Sequence, residues 1–151
     1  MKLLTRCLHH IRKIYKLFNK KIMDKIFRKY FKKWVSFSEI RKNPDILPKH
    51  NSQYVYCMRL KNRKVERLRG STNILYIGKT TNLVRRFIKN YLNGVGGLTT
   101  QRINRYFVKK GYLNKVEVSW CEVKDYKKVE KELLESFEEE HHELPCWNRQ
   151  G

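Results

Sequence analysis

Tyrosine, arginine and carboxylate side chains occur in four short strings that together could act on a phosphate ester. The strings are YVY at 54–56, YIGKTTNLVRRF at 76–87, VEKELL at 129–134 and LPCWN at 144–148. A phenol whose pKa is lowered beside a metal ion can orient or deprotonate water, and a guanidinium can hold a phosphate. These residue types favour phosphodiester hydrolysis, although tyrosines in β-strands more often serve only in packing.

The order of these strings resembles that of the GIY-YIG nuclease superfamily over about residues 54–149. The first family motif, Gly-Ile-Tyr, is matched by YVY at 54–56, where the initial glycine is replaced. The second motif is matched without change by YIG at 76–78. The resemblance implies a metal-dependent nuclease in which Tyr56 and Tyr76 are catalytic.

The same resemblance implies the other catalytic residues. The family's arginine lies ten residues after the second-motif tyrosine, at Arg86, and the neighbouring Arg85 could substitute for it. The family's glutamate binds one divalent cation, Mg²⁺ or Mn²⁺, and is followed by apolar residues at +3 and +4, a pattern that Glu130 meets. Asn148 matches the closing asparagine, which braces the site.

Glu135 is the alternative to Glu130 as the metal ligand, because it lies closer to Asn148 along the chain. Helical periodicity favours Glu130, which borders an apolar stripe, whereas Glu135 has charged neighbours on a face predicted to be solvated. His141 and His142 lie in the stretch before Asn148. Adjacent residues point to different helix faces, so a second metal site at these histidines is not favoured.

Basic residues surround the predicted cleft on and near two adjacent predicted helices. We expect them to contact the DNA backbone, together with amide donors at the helix start after Thr99. They are Lys79, Arg85, Lys89, Arg102, Arg105, Lys109 and Lys110. The glycines of LNGVGGL at 92–98 are predicted to form a linker, because the spacing of a nucleotide-binding loop is missing. No small-molecule cofactor is expected.

The charge balance indicates an anionic partner. The chain of 151 residues has 35 Lys and Arg against 14 Asp and Glu, a net charge of +21. Residues 1–50 have 15 basic against 3 acidic residues and residues 51–125 have 16 against 4, whereas residues 126–151 have 4 against 7. Nucleic acid is the first expectation and an acidic membrane surface the second. No stretch is apolar enough for a transmembrane segment.

The amino-terminal part is predicted to be a basic amphipathic extension. Apolar residues recur at three- and four-residue steps from Leu4 to Val35, which predicts one long helix, or two joined near Asn19. Two prolines in NPDILP indicate a linker and a domain boundary near residue 50. The apolar stripe must be buried on the catalytic domain, on a second copy of the chain or on a lipid surface, so dimerisation through this helix is one expectation.

Residues 51–151 are predicted to form a small α+β domain with the element order ββααβα. Alternating, β-favouring runs predict strands at YVYCMRL, ILYIG and KVEVSWCEV, in a three-stranded antiparallel or mixed sheet flanked by helices. Helix starts are predicted at Thr80 or Thr81, at Thr99 or Thr100, and at Asp125. The sequence therefore predicts a helical extension, residues 1–50, followed by a GIY-YIG-like domain.

The scattered cysteines favour a reduced, cytoplasmic setting, because they match neither a zinc spacing nor a disulfide framework. The basic, acid-poor start of the chain leaves organelle targeting as the alternative. The predicted function is a divalent-metal-dependent DNA endonuclease. The alternative is a nucleic-acid-binding module that has kept the fold and lost cleavage.

Overall fold

A computed structural model describes residues 2–148, with side chains from Leu8 onward. The helices are α1 (Lys2–Tyr30), α2 (Phe37–Lys42), a π-helix (Arg85–Leu92), α3 (Leu98–Val108) and α4 (Tyr126–His141), with a 3₁₀ turn at Pro44–Ile46. The strands are β1 (Val35–Ser36), β2 (Tyr54–Leu60), β3 (Val65–Glu66), β4 (Ser71–Thr72), β5 (Ile74–Thr80) and β6 (Val116–Glu122). None of the helices described is both long and apolar enough to cross a membrane.

The main sheet has the strand order β1-β6-β2-β5, and all of its neighbouring pairs are antiparallel. The α+β class and the three predicted strands are confirmed. The prediction of only three strands is wrong, because β1 adds a fourth strand and β3 and β4 form a separate hairpin. Each of these three extra strands has two residues, which is too short for an alternating pattern to reveal.

Side chains alternate between the two faces of this sheet, and different helices cover each face. One face, called here the π-helix face, is formed by Tyr54, Tyr56 and Met58 and packs with Phe87, Ile103 and Phe107. The other, called the α4 face, is formed by Val55, Cys57 and Ile77 and packs with Phe27, Leu133 and Phe137. The central strand β2 is therefore buried on both sides.

The segment before residue 50 is part of this core. Phe37 and Ile40 of α2 are fully buried and Leu47 is nearly so, and all three pack on the π-helix face. A capping box, in which the Ser36 hydroxyl and the Glu39 carboxylate accept from each other's backbone amides, fixes the start of α2. Residues on both sides of the boundary predicted near residue 50 thus share one hydrophobic core.

Helix α1 ends at Tyr30, before the predicted end at Val35, because Val35 pairs with β6. Its carboxyl-terminal part docks on the α4 face through Met23 and Phe27. The apolar stripe is exposed from Leu8 to Ile22, so the folded body, one of the three partners predicted to bury it, does not cover this part. The side chain of Leu4 lies outside the described residues.

The predicted helix starts are right at one position and wrong at two. Asp125 caps α4, since its carboxylate accepts from the amide of Lys128 at 3.0 Å. Thr80 and Thr81 do not cap the first helix, because the side chain of Asn82 accepts from the amide of Arg85 at 2.8 Å. Helix α3 begins at Leu98 after Gly97, earlier than the predicted Thr99 or Thr100.

Candidate functional site

Three tyrosines meet on the π-helix face, where β2, β5 and the π-helix converge. The ring centroids are 6.0 Å apart for Tyr56 and Tyr76, 6.2 Å for Tyr56 and Tyr91, and 6.4 Å for Tyr76 and Tyr91. The hydroxyls of Tyr56 and Tyr91 are hydrogen-bonded at 2.5 Å. Tyr56 and Tyr91 are buried, whereas Tyr76 is only half-buried. Tyr76 is therefore the member of this tyrosine cluster that a substrate can reach.

Gly78 makes room for the tyrosine cluster. It pairs with Tyr56 across the β2–β5 ladder. A Cβ at this position would lie 2.6 Å from Cζ and Oη of Tyr56 and 2.7 Å from Cε1 of Tyr76. The Tyr56 ring thus lies over bare backbone, and any side chain at position 78 would displace it.

Arg86 lies beside the tyrosine cluster because of the winding of the π-helix. Its Cζ is 6.0 Å from the ring centroid of Tyr91, five residues later. In an α-helix a five-residue step places side chains on different faces, whereas i→i+5 winding brings them close. Asn82 fixes the approach to this helix by hydrogen bonding the amide of Arg85.

The Arg86 guanidinium has no carboxylate partner among the described residues. It takes part in none of the ion pairs within this range, and its buried Nε lacks a hydrogen-bond partner there. A partly buried cation without a counter-charge has lost hydration that an incoming anion could replace. The arrangement can therefore bind a phosphate group.

The two buried phenols, Tyr56 and Tyr91, are held in their neutral form. Burial, reinforced by the neighbouring Tyr91 and Tyr76, raises the pKa of Tyr56 well above its usual value, and Arg86 opposes this only in part. Burial likewise raises the pKa of Tyr91. Desolvation therefore outweighs the nearby guanidinium in setting the pKa of Tyr56.

Asn148 closes the free edge of β5. Its Oδ1 accepts from the amide of Ile77 at 2.9 Å and its Nδ2 donates to the Ile77 carbonyl at 2.8 Å. The amide of Trp147 donates to the Leu75 carbonyl at 2.9 Å. Asn148 thus braces the strand that carries Tyr76.

Glu130 lies across the sheet from the tyrosine cluster. Its carboxylate forms an ion pair with the ammonium of Lys79, and the two side chains are 18% and 35% exposed. Lys79 shares the α4 face with Ile77, two residues before it, whereas Tyr76 packs against the π-helix face. The structure therefore brings Tyr56, Tyr76 and Arg86 together and places Glu130 at the opposite side of the same edge strand.

The other candidate metal ligands are separated. Glu135 is 60% exposed and lies 3.7 Å from the ammonium of Lys131. His141 is buried, and its Nδ1 hydrogen bonds to the Arg69 carbonyl at 2.9 Å, while His142 is exposed at the end of α4. Within residues 8–148 no three His, Cys, Asp or Glu side chains form a group that could hold a metal ion.

The predicted DNA-contacting residues fall into two groups. Five of them are exposed: Arg85, Lys89, Arg105, Lys109 and Lys110. The other two have partners within the chain, since Lys79 pairs with Glu130 and Arg102 donates to the Trp147 carbonyl. Arg102 therefore holds the segment that presents Asn148, a role that its sequence position did not reveal.

Tyr91 and the π-helix are the parts of the site that sequence reasoning missed. A period of 3.6 residues does not make Arg86 and Tyr91 neighbours, so the pattern gave no signal of their proximity.

Comparisons with family models, curated proteins and solved structures find no match to this chain.

Proposed function

We propose that the protein is a divalent-metal-dependent DNA endonuclease that hydrolyses phosphodiester bonds beside Tyr76 and Arg86. The observation that carries this proposal is the partly buried Arg86 guanidinium, which lies beside the phenol of Tyr91 and has no carboxylate counter-charge within residues 8–148. The order of motifs that resembles the GIY-YIG superfamily supports the same reaction.

The geometry suggests different roles for the residues of the tyrosine cluster. Arg86 holds the scissile phosphate and stabilises the charge that develops on its oxygens. Tyr76 is half-buried, so its hydroxyl is the one that orients the attacking water. Tyr56 is 1% exposed, so it acts on the substrate only through Tyr91, to which it is hydrogen-bonded.

Within residues 8–148, the acidic side chains can supply a metal ion with only one carboxylate at a time, because no three ligating side chains lie together. Mg²⁺ commonly binds through one or two carboxylates while water and phosphate oxygens supply the rest, so one glutamate of α4 is sufficient. Glu130 would hold the ion once it is released from Lys79, and Glu135 is the alternative. A bound ion would supply charge stabilisation for the phosphate and a more acidic water.

The exposed basic residues supply the surface for the rest of the DNA. Arg85 and Lys89 belong to the π-helix, which also carries Arg86, and Arg105 lies on the adjacent α3. Contacts of this kind to phosphates position the duplex and do not read base sequence. The proposed enzyme therefore binds DNA mainly through its backbone.

A second candidate function is nucleic-acid binding without cleavage. The observation that favours it is the Lys79–Glu130 ion pair, which neutralises the carboxylate that the metal would need. In this case Arg86 and the exposed basic residues would bind phosphates, and the tyrosines would serve only in packing.

Incubation with supercoiled plasmid tests the proposal. We expect nicked or linear product with Mg²⁺ or Mn²⁺, and none with EDTA. An Arg86→Ala preparation, purified in parallel, serves as the control for contaminating nuclease. Plasmid that stays supercoiled while its mobility shifts on binding would support the second candidate function and contradict the first.

A further inference from the structure

The amino-terminal half of α1 presents a row of large apolar side chains to solvent. We call this row the free stripe; it consists of Leu8, Ile11, Tyr15, Phe18 and Ile22. Their exposed fractions are 52%, 61%, 63%, 61% and 39%. At 3.6 residues per turn these positions share one side of the helix.

The free stripe lies on the side of α1 that faces away from the rest of the protein. The helix docks on α4 and the sheet through Met23 and Phe27. The step from Phe18 to Met23 is five residues, as is that from Ile22 to Phe27, and five residues turn a helix by about 140°. The docking side and the free stripe therefore point in roughly opposite directions, so the body of the protein cannot cover both.

The remaining surface of the same segment is strongly basic. Residues 8–22 contain no Asp or Glu, and their basic residues are Arg12, Lys13, Lys16, Lys20 and Lys21. The first acid of the chain is Asp24. The segment is therefore an amphipathic helix with an apolar side and an uncompensated positive side.

Three kinds of partner could cover the free stripe, and charge separates them. Packing against the free stripe of a second copy would bring two segments of the same sign together, and residues 8–22 offer no acid to pair them. DNA would neutralise the lysines but offers no apolar layer for five large side chains. An anionic bilayer surface accepts both, since apolar residues enter the acyl boundary while lysines contact the headgroups.

We propose that residues 8–22 of α1 bind the surface of an anionic lipid bilayer, with the free stripe buried at the headgroup–acyl boundary. The helix lies in the plane of the surface, because its apolar side runs along its length. The docked part of α1 then holds the folded body beside the membrane. This inference does not rest on the proposed nuclease activity.

Vesicle co-sedimentation of the full chain tests this proposal. The probes are phosphatidylcholine vesicles and vesicles in which about one lipid in three is phosphatidylglycerol, a content that gives a strongly negative surface. We expect binding at least about tenfold tighter to the anionic vesicles. Ile11→Gln combined with Phe18→Gln should weaken that binding at least about tenfold, because it removes two large side chains from the buried side.

The matched control is Leu98→Gln combined with Val108→Gln, which changes two exposed apolar residues of α3 instead. This variant should bind vesicles like the wild type, and circular dichroism should show that both double variants are folded. Equal binding of the two double variants to anionic vesicles would overturn the proposal. A wild-type protein that does not bind anionic vesicles would also overturn it.

Two further readouts identify the other partners. In sedimentation velocity, the wild type and the variant that combines Ile11→Gln with Phe18→Gln should have the same oligomeric state. Their affinities for DNA should also be equal. A dimer lost on Ile11→Gln and Phe18→Gln would assign the free stripe to a second copy. A DNA affinity lost in the same variant would assign it to nucleic acid. Either result overturns the lipid proposal and leaves the plasmid-cleavage test untouched.

Discussion

The two faces of the central sheet differ in whether the partly buried charge on each has an ion-pair partner within residues 8–148. On the π-helix face, Arg86 lies among aromatic rings, with no carboxylate partner among the described residues. On the α4 face, Glu130 has a carboxylate that the Lys79 ammonium already neutralises. A partly buried charge without a partner favours an incoming counter-ion, whereas a paired charge must first lose its partner. The charge on the π-helix face therefore favours the binding of an anion such as phosphate more than the paired charges on the α4 face do.

The edge strand β5 connects these two faces. Tyr76 packs on one side of it, Lys79 lies on the other, and Asn148 hydrogen bonds to its outer edge at Ile77. In the proposed mechanism, a phosphate bound at this edge contacts groups from both faces. The proposed catalysis depends on this edge, and substitutions on each face can separate their contributions.

The largest effect is expected at Glu130. Glu130→Gln keeps the size of the side chain but removes the carboxylate, so cleavage should fall at least about 10³-fold while DNA binding persists. Glu135→Gln should stay within about threefold of the wild type, because this side chain is well exposed and its ion pair with Lys131 is a surface one. Rates come from single-turnover cleavage, and binding from mobility shifts. A large loss for Glu135→Gln with little loss for Glu130→Gln would identify Glu135 as the metal ligand.

The next effect is expected at Tyr76. Tyr76→Phe keeps the ring and its packing, so a loss of about 10²-fold in cleavage would come from the hydroxyl alone. Tyr126→Phe is the matched control, because Tyr126 is also half-buried but packs on the α4 face. Similar cleavage rates for the two variants would mean that the tyrosine cluster is only structural.

A smaller effect, on stability, is expected at Gly78. Gly78→Ala forces a methyl group against Tyr56 and Tyr76, so the free energy of unfolding should fall by about 2 kcal/mol. Gly97→Ala is the control, since no atom lies within 4 Å of the added methyl, and it should cost under about 1 kcal/mol. Urea denaturation measures both variants. Equal stabilities would show that the Tyr56 ring can move away freely.

The smallest effect is expected for the exposed lysines. Lys109→Ala with Lys110→Ala should reduce the slope of log affinity for DNA against log salt by about 1.8, since each phosphate contact contributes about 0.9. Lys127→Ala with Lys128→Ala removes two exposed charges from α4 and should leave the slope unchanged. Fluorescence anisotropy at several salt concentrations compares them. Identical slopes for both variants would show that DNA does not contact the end of α3.

The sequence predicted those elements whose own pattern decides their structure. Strands β2, β5 and β6 alternate and are rich in β-favouring residues, and Asp125 caps α4 as expected. Strand β1 was missed because two residues carry no period, and its structure depends on pairing with β6. The free stripe could be identified from its periodicity, but which of its three predicted partners covers it could not, because periodicity identifies an apolar side and not what lies against it.

The candidate site was predictable only in part, for similar reasons. The tyrosines of β2 and β5 could be identified from their strings, but the alternation that separates Tyr76 from Lys79 depends on the register of the folded sheet. The proximity of Tyr91 to Arg86 depends on π-helical winding, which no helical periodicity indicates. The raised pKa of Tyr56 follows from burial by neighbours that are distant in sequence.

The comparison of adjacent arginines tests the central claim most directly. Arg85 is exposed, whereas Arg86 is partly buried beside Tyr91, so the two residues share their chemistry and differ in environment. In single-turnover cleavage of supercoiled plasmid with Mg²⁺, Arg86→Ala should be slower by about 10³-fold and Arg85→Ala by less than about tenfold. Equal losses for the two variants, or full activity of Arg86→Ala, would contradict a phosphodiester site on the π-helix face.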